Sequence, residues 1–441
     1  MQQLPGRWAR ADVLVVGAGI LGVCIAYWIS RLYDCNLVLV DKETRAGAHA
    51  STRNTGVLHR PFYLNPKRKR TFARAAAISY PMWRDLAAKA GLPWLPIGTL
   101  SVAVSDDQVS TLQSYHEWGK ENGMAAEEVP LLDAAEAKAL EPEVTCRAAL
   151  HSTTDVSVDF GSFTRYLASL AENQGAKFLR SCEVKSVANL GDQIAVRFRK
   201  GGDCDGVVSR FMINVAGGGA LEIAHSRGLA EGFAALSFRG DYWVVEEPFA
   251  SKVGRNVYTP PRIPEFPFLD PHFVIRPSGT RQIGPNAALV TGPYVYRGFG
   301  IESPAGLLRP PMGPKVGLVT NGTFVSMVAS EWRSSLSKSA MCSRVNKFLP
   351  GLDSRSLVRR GISGVRSNVI NRDGFVPEAI VLQDSRTVHV LNYNSPGATG
   401  APAYAAMLVK EMGSSGRFDG LPQKKETQTQ SWDFERAAAF D

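Results

Sequence analysis

The alternation of apolar and polar residues opens on an apolar, β-branched run over residues 12–16, the pattern of a buried strand. It passes straight into Gly17-Ala18-Gly19-Ile20-Leu21-Gly22 and a helical stretch to Arg31, and a second apolar strand over residues 37–40 closes on Asp41. Strand, glycine turn, helix and strand in that order predict a βαβ unit. After a loop rich in Thr, Gly, Ala and Asn (residues 44–56), helical spacing covers 67–90 and 107–122, with a strand over 97–104 between them. Residues 160–175 read as an amphipathic helix, followed by short strands near 182–187, 194–199 and 210–215, the last ending in Ala216-Gly217-Gly218-Gly219. From 236 to 291 apolar and polar residues alternate between prolines and glycines, as in an antiparallel sheet. Residues 324–348 read as mostly helix and 387–391 as a strand leading through Ser395-Pro396-Gly397-Ala398-Thr399-Gly400 into a helix that ends near Gly413. The stretch 414–441 is polar and is expected to be mobile in large part, with 432–440 too short to hold a helix alone.

Composition narrows the class. At 441 residues, 44% hydrophobic and 21% charged, the chain is a globular protein of two or three domains, which excludes disorder, coiled coil and collagen as its main state. The net charge of +9 suits an anionic substrate or an anionic membrane surface. The densest positive run, Lys67-Arg68-Lys69-Arg70 with Arg74, is short and lacks aromatic residues suited to bases, so nucleic acid is not an expected partner. That run stands at a predicted helix start, where the macrodipole disfavours cations, so something must compensate it; peripheral contact with lipid head groups is one use for it. Six cysteines lie far apart without zinc spacing, which predicts free thiols, no metal site and a reducing, cytoplasmic location. No uninterrupted apolar window of about 18 residues offers a membrane span or a signal peptide.

The first turn carries the chemistry. Gly17 permits the tight turn, Gly19 lets the backbone approach a pyrophosphate at the positive end of the helix, and Gly22 lets helix and strand pack closely. Asp41, nineteen residues after Gly22, is placed to accept from ribose hydroxyls, and its charge disfavours NADP. This fingerprint does not separate NAD from FAD. Two later stretches favour a flavin. Ser51-Thr52-Arg53-Asn54-Thr55-Gly56 is rich in small and hydroxyl residues that allow close approach, and Pro396-Gly397-Ala398-Thr399 starts a helix that can aim N–H groups at the flavin ring.

Four clusters carry a family resemblance: Asn54-Thr55-Gly56-Val57-Leu58-His59 with Tyr63 and Pro66; His272-Phe273-Val274-Ile275-Arg276 with Gly284-Pro285-Asn286-Ala287; Gly364-Val365-Arg366 with Arg372-Asp373-Gly374; and Asn394 to Thr399. The sequence resembles the glutathione-reductase-like flavoproteins of the D-amino-acid-oxidase superfamily, and within it the L-2-hydroxyglutarate dehydrogenase (oxidase) family. The resemblance implies an α/β fold in which a Rossmann FAD-binding domain (1–62, 150–230 and 350–413) receives an α+β substrate domain (63–149 and 231–349) built on an antiparallel sheet, followed by the tail 414–441. It implies FAD as cofactor, with Ile20, Leu21, Lys42, Val184, Ala216, Gly217, Gly364 and Arg366 joining the residues above around it. The expected reaction is oxidation of a small anionic 2-hydroxy acid by hydride transfer to the flavin, with a quinone or another carrier as electron acceptor.

Among the polar residues, His59 is placed to accept a substrate hydroxyl proton. His272 and Arg276, four apart, would face one cleft if both lie in a strand, with Phe273 and Ile275 facing away. Arg366 suits bidentate pairing with a substrate carboxylate, and Tyr63 adds a hydroxyl donor. Arg60 departs from the family, where small residues follow the histidine. Its guanidinium beside the flavin would suit a phosphate as well as a carboxylate, which raises FAD-dependent glycerol-3-phosphate dehydrogenase as an alternative. A non-catalytic flavin-binding subunit of a larger complex is the alternative of another class.

Overall fold

The computed structural model describes residues 7–199, 204–300, 311–424 and 432–440. Trp8–Val16 and Leu37–Val40 pair in parallel, Val13 opposite Leu37, and the sheet grows outward through Lys177–Leu179 on one side and Gly206–Asn214 on the other. Thr387–Leu391 joins Gly206–Asn214 in parallel, and Val184–Leu190 with Gln193–Phe198 forms an antiparallel ribbon beside it. The helix Ile20–Leu32 crosses this sheet. Every residue of it from Ile20 to Arg31 is buried, because the helices Phe160–Asn173 and Gly397–Ser414 cover the side that the sheet does not.

The run over 236–291 does not form one sheet. Ala234–Gly240 and Ala288–Val290 lie in a four-stranded sheet with Gly364–Asn371 and Gly374–Phe375. Trp243–Val245, Asn256–Tyr258, His272–Ile275 and Arg281–Gly284 lie in a second eight-stranded sheet, where Asn256–Tyr258 pairs in parallel with Thr99–Ala103. Alternation shows which face of a strand is buried, not which strand it pairs with. The chain changes sheet at Gly240, where a Cβ would stand 2.6 Å from that of Pro285 and the next N–H donates to Asn286 Oδ1 at 2.8 Å.

The second helix begins at Arg70 rather than at residue 67. Ahead of it, Asn65 Oδ1 accepts from the N–H groups of Lys67 and Arg68 at 3.0 and 2.9 Å, and Lys67, Arg68 and Arg70 remain exposed while Lys69 is half-buried. Water thus solvates most of the positive run.

The expectation of a largely mobile tail is corrected for 432–440. Trp432 is 3% exposed and wedges among Tyr27, Trp28 and Trp83 at ring-centroid distances of 5.3 to 6.0 Å. Its indole N–H donates to the Met82 carbonyl at 3.0 Å, and Phe434–Ala437 forms a short helix against the same groove. One buried indole with its polar atom satisfied offsets the entropy of ordering a short segment, a long-range effect that local propensity does not register. Trp432→Ala is expected to lower stability by about 3 to 5 kcal/mol. A urea titration with an unmoved midpoint would contradict that.

Candidate active site

A cleft of about 590 Å³ runs from the first glycine turn to the inner face of the second eight-stranded sheet. Gly17 holds φ at +107°, and a Cβ there would stand 2.6 Å from the Val215 carbonyl oxygen, so no other residue fits the turn. A Cβ on Gly19 would meet only Ser51 Oγ, at 3.4 Å, leaving the backbone open to the cleft. Ile20 and Leu21 share that wall. Gly22 does not: a Cβ there would fall 1.8 Å from the Gly17 carbonyl oxygen, so its part is to let helix and strand pack. Asp41 lines the cleft while its Oδ2 accepts from Ala18 N–H at 2.7 Å and its Oδ1 from Glu43 N–H at 2.9 Å. Burial pushes its pKa up.

The loop 51–56 is the second wall. Ser51 Oγ accepts the Ile20 N–H at 2.9 Å. Arg53 donates to the Ser363 carbonyl at 3.2 Å, Asn54 Oδ1 accepts Gly56 N–H at 2.9 Å, and Thr55 Oγ1 lies 2.9 Å from the Tyr242 hydroxyl. Thr52 turns away and bonds back to the Gly47 carbonyl, so its hydroxyl is not on the wall. Beneath the loop, a Cβ on Gly364 would lie 1.8 Å from the Arg53 carbonyl oxygen, so only glycine lets the loop close. Val184, Ala216 and Gly217 line the nucleotide end, while Pro396, Gly397, Ala398 and Thr399 line the other at the start of the helix Gly397–Ser414. These surfaces fit an extended dinucleotide, with open glycine backbone at the pyrophosphate position and a helix N-terminus at the far end.

A feature the sequence does not announce closes the nucleotide end. Tyr294 packs on His49 (centroids 4.6 Å apart), with Lys42 Nζ 3.7 Å from its ring, and Arg53 lies 4.1 Å over Tyr296. The Tyr296 hydroxyl is 2.6 Å from His49 Nδ1, and Glu43 accepts from Nε2 at 2.8 Å. A segment of the four-stranded sheet's edge is thereby fastened to the loop after Asp41.

At the other end His59, Tyr63, His272 and Arg366 come together on the cleft wall. Arg366 projects from Gly364–Asn371, one of its terminal nitrogens braced on the Pro267 carbonyl at 2.7 Å. Its charged neighbours include no carboxylate among the described residues; Tyr63 and Tyr242 face it, and burial pushes its pKa down. Tyr63 is edge-on to His59 at 5.6 Å, and burial with the nearby Asp155 charge drives its hydroxyl pKa upward, so it stays a donor.

Two expectations are corrected, those for Arg60 and Arg276, while His272 keeps its place on the cleft wall. Arg60 does not reach the cleft: it makes a two-pronged pair with Glu128 at 2.8 and 3.3 Å and lies over Tyr80. Arg276 falls one residue beyond His272–Ile275, so strand alternation no longer governs it. Its guanidinium donates to the Asn54 carbonyl at 2.7 Å, to the Thr55 carbonyl and to Gln282 Oε1, bracing the wall instead of facing the cleft. His272 stacks on Tyr258 at 3.8 Å, 1% exposed, with its Nε2 buried and unpartnered. Desolvation pushes its pKa down to about 3. Phe273 and Ile275 face the opposite core, as alternation requires. The sequence reading missed Asp155, which no local motif marks: it is fully buried, and its Oδ2 is 2.6 Å from His59 Nδ1.

A dinucleotide cradle at the carboxyl end of a parallel sheet, opening onto a pocket lined by a guanidinium and an imidazole, defines a class, the dinucleotide-dependent oxidoreductases. Comparison with known proteins gives the family. The model of the FAD-dependent oxidoreductases of the DAO type matches residues 12–411, so the chain belongs to that family and uses FAD. The chain is 26% identical over 406 residues to L-2-hydroxyglutarate dehydrogenase of Escherichia coli (strain K12), covering 91% of this chain and 93% of that one. It is 27% identical over 423 residues to mitochondrial L-2-hydroxyglutarate dehydrogenase of Mus musculus, covering 90% and 87%. Among solved structures, FAD-bound L-alpha-glycerophosphate oxidase from Mycoplasma pneumoniae superposes with a TM-score of 0.70 at 22% identity, covering 95% of this chain and 97% of that one. Glycine oxidase from Geobacillus kaustophilus gives 0.67 at 16%, covering 91% and 95%. The fold is thus shared by enzymes named for hydroxy and for amino substrates.

Proposed function

We propose that the protein oxidises a small 2-hydroxy acid, L-2-hydroxyglutarate or a near relative, and passes the electrons to a quinone or another carrier. The observation that carries this reading is Arg366, a half-buried guanidinium on the cleft wall that it shares with His59, with no carboxylate partner among the described residues. A planar fork of donors left without an anion is suited to a substrate carboxylate. The names of the 24–27% identical relatives support the same substrate class.

FAD bound in the cleft supplies the hydride acceptor. Arg366 and Tyr63 hold the carboxylate and so orient the substrate carbon that bears hydrogen and hydroxyl. His59 takes the hydroxyl proton at Nε2, because its Nδ1–H is committed to Asp155. The start of the helix Gly397–Ser414, which lines the cleft, would lend its positive end to the reduced flavin. Arg60, the residue that favoured a phosphate substrate, is held by Glu128, and with it goes the sequence argument for glycerol 3-phosphate. No helix of the described residues is long and apolar enough to cross a membrane, and the exposed Lys67, Arg68 and Arg70 are the surface we assign to any peripheral lipid contact.

The test is anaerobic reduction of the protein's flavin by L-2-hydroxyglutarate, glycerol 3-phosphate, lactate, malate and amino acids in turn. L-2-hydroxyglutarate is expected to bleach it fastest. Bleaching by glycerol 3-phosphate or an amino acid alone would replace the substrate, and a flavin that none reduces would point to a non-catalytic subunit.

A further inference from the structure

Asp155 sits at the end of the turn between Ala148–Ser152 and Val156–Val158, shut off from water. Its Oδ1 accepts from the Arg60 N–H and from Ser152 Oγ, both at 2.7 Å, so the carboxylate has one orientation, and Oδ2 is left for His59 Nδ1 at 2.6 Å. A carboxylate only accepts; His59 Nδ1 therefore carries the hydrogen and Nε2 the lone pair. The imidazole stands edge-on to Tyr63 and to Tyr258, at 5.6 and 5.2 Å, and its side chain keeps 13% exposure. The other charged groups around it are already engaged or lie farther off: the Arg60 guanidinium is on Glu128, Arg276 braces the wall, Arg366 faces Tyr63, and His272 is buried and neutral. A proton arriving on Nε2 therefore finds its countercharge in Asp155.

We propose that Asp155 is the positioning residue that makes His59 a base. The inference rests on the reading of His59 given under the proposed function. In the step it serves, the substrate O–H bond breaks and its proton goes to Nε2. The C–H bond breaks and hydride, with both electrons, goes to FAD, and the carbon is left as a ketone. Asp155 keeps its charge throughout and pairs with the imidazolium that forms. An alcohol holds its proton tightly and needs such a pair.

The test uses the FAD-loaded protein in anaerobic stopped flow between about pH 5 and 9, with L-2-hydroxyglutarate as reductant and glutarate as a non-oxidisable probe of binding. Asp155→Asn is expected to slow flavin reduction by roughly 10²- to 10⁴-fold, by analogy with the loss of the carboxylate in hydrolase triads. The acid limb of its profile should also move to lower pH, because protonating His59 becomes harder once the negative charge is gone. Glutarate affinity and FAD content should stay close to wild type. Ser152→Ala keeps Asp155 and removes one donor from Oδ1, so the limb should move the other way, to higher pH, which preserves the test if the Asn variant loads no flavin. The double variant Asp155→Asn/His59→Ala should be no slower than His59→Ala alone. Unmoved limbs in both Asp155→Asn and Ser152→Ala, with His59→Ala slow, would overturn the role of Asp155 and leave the base in place. A normal rate in His59→Ala would overturn the reading of the base itself.

Discussion

Arg366→Met should lower kcat/KM for L-2-hydroxyglutarate by roughly 30- to 5,000-fold, the equivalent of about 2 to 5 kcal/mol for losing a charge that pairs with its ligand in a cleft. The guanidinium is held in place before substrate arrives: its strand residue pairs with Phe238, and one nitrogen is fixed on the Pro267 carbonyl. Little ordering entropy then remains to oppose binding. Lys should rescue poorly, since an ammonium lacks the planar fork and would leave the Pro267 carbonyl without its donor. FAD content measured on the same variant separates loss of the carboxylate contact from loss of a contact to the cofactor, beside which Arg366 is also expected. Steady-state kinetics with glutarate inhibition checks the effect. A variant with an unchanged inhibition constant would move the carboxylate site elsewhere.

His59→Ala should slow flavin reduction by about 10²- to 10⁴-fold while glutarate still binds. His272→Ala is the informative companion. Desolvation holds the His272 pKa down to about 3, so it does not change charge in the range where the enzyme would be assayed, and its Nε2 is buried. The acid limb of the rate profile should therefore survive in His272→Ala and vanish in His59→Ala; the reverse result would exchange their roles. The same burial has a signed consequence for stability. The unfolded chain protonates this imidazole below about pH 6.5, while the folded one does so only near 3, so the stability that His272 lends is complete above about pH 6.5 and declines as the pH falls toward 3.

The sequence carries the nucleotide cradle well because its parts are local. Strand, Gly17 to Gly22, helix and Asp41 occupy one short stretch, and each glycine's part follows from backbone geometry that the motif itself specifies. Arg366 and His59 stand on the cleft wall, as their flanking residues suggest. Arg60 and Arg276 are misread for a common reason: an arginine's partner decides what it does, and the partners are Glu128 and the Asn54 carbonyl, 68 and 222 residues away in the chain. Asp155 is missed for the converse reason. In Thr153-Thr154-Asp155 it looks like any turn aspartate, and only the meeting of its turn with Leu58-His59-Arg60 gives it work. Trp432 belongs to the same class, since its slot is made by Tyr27, Trp28 and Trp83.

That slot also bears on how the protein is made. The ribosome delivers Tyr27 and Trp28 early, yet the Arg31 guanidinium meets the Trp432 carbonyl across 401 positions, and Trp8–Val16 waits for Gly206–Asn214 to complete its own sheet. At roughly 5 to 20 residues per second, the groove around Trp28 stays uncovered for about 20 to 80 seconds after it emerges. During translation it is an exposed apolar surface of the kind that makes an incomplete chain prone to aggregate, and it is covered only when Trp432 arrives.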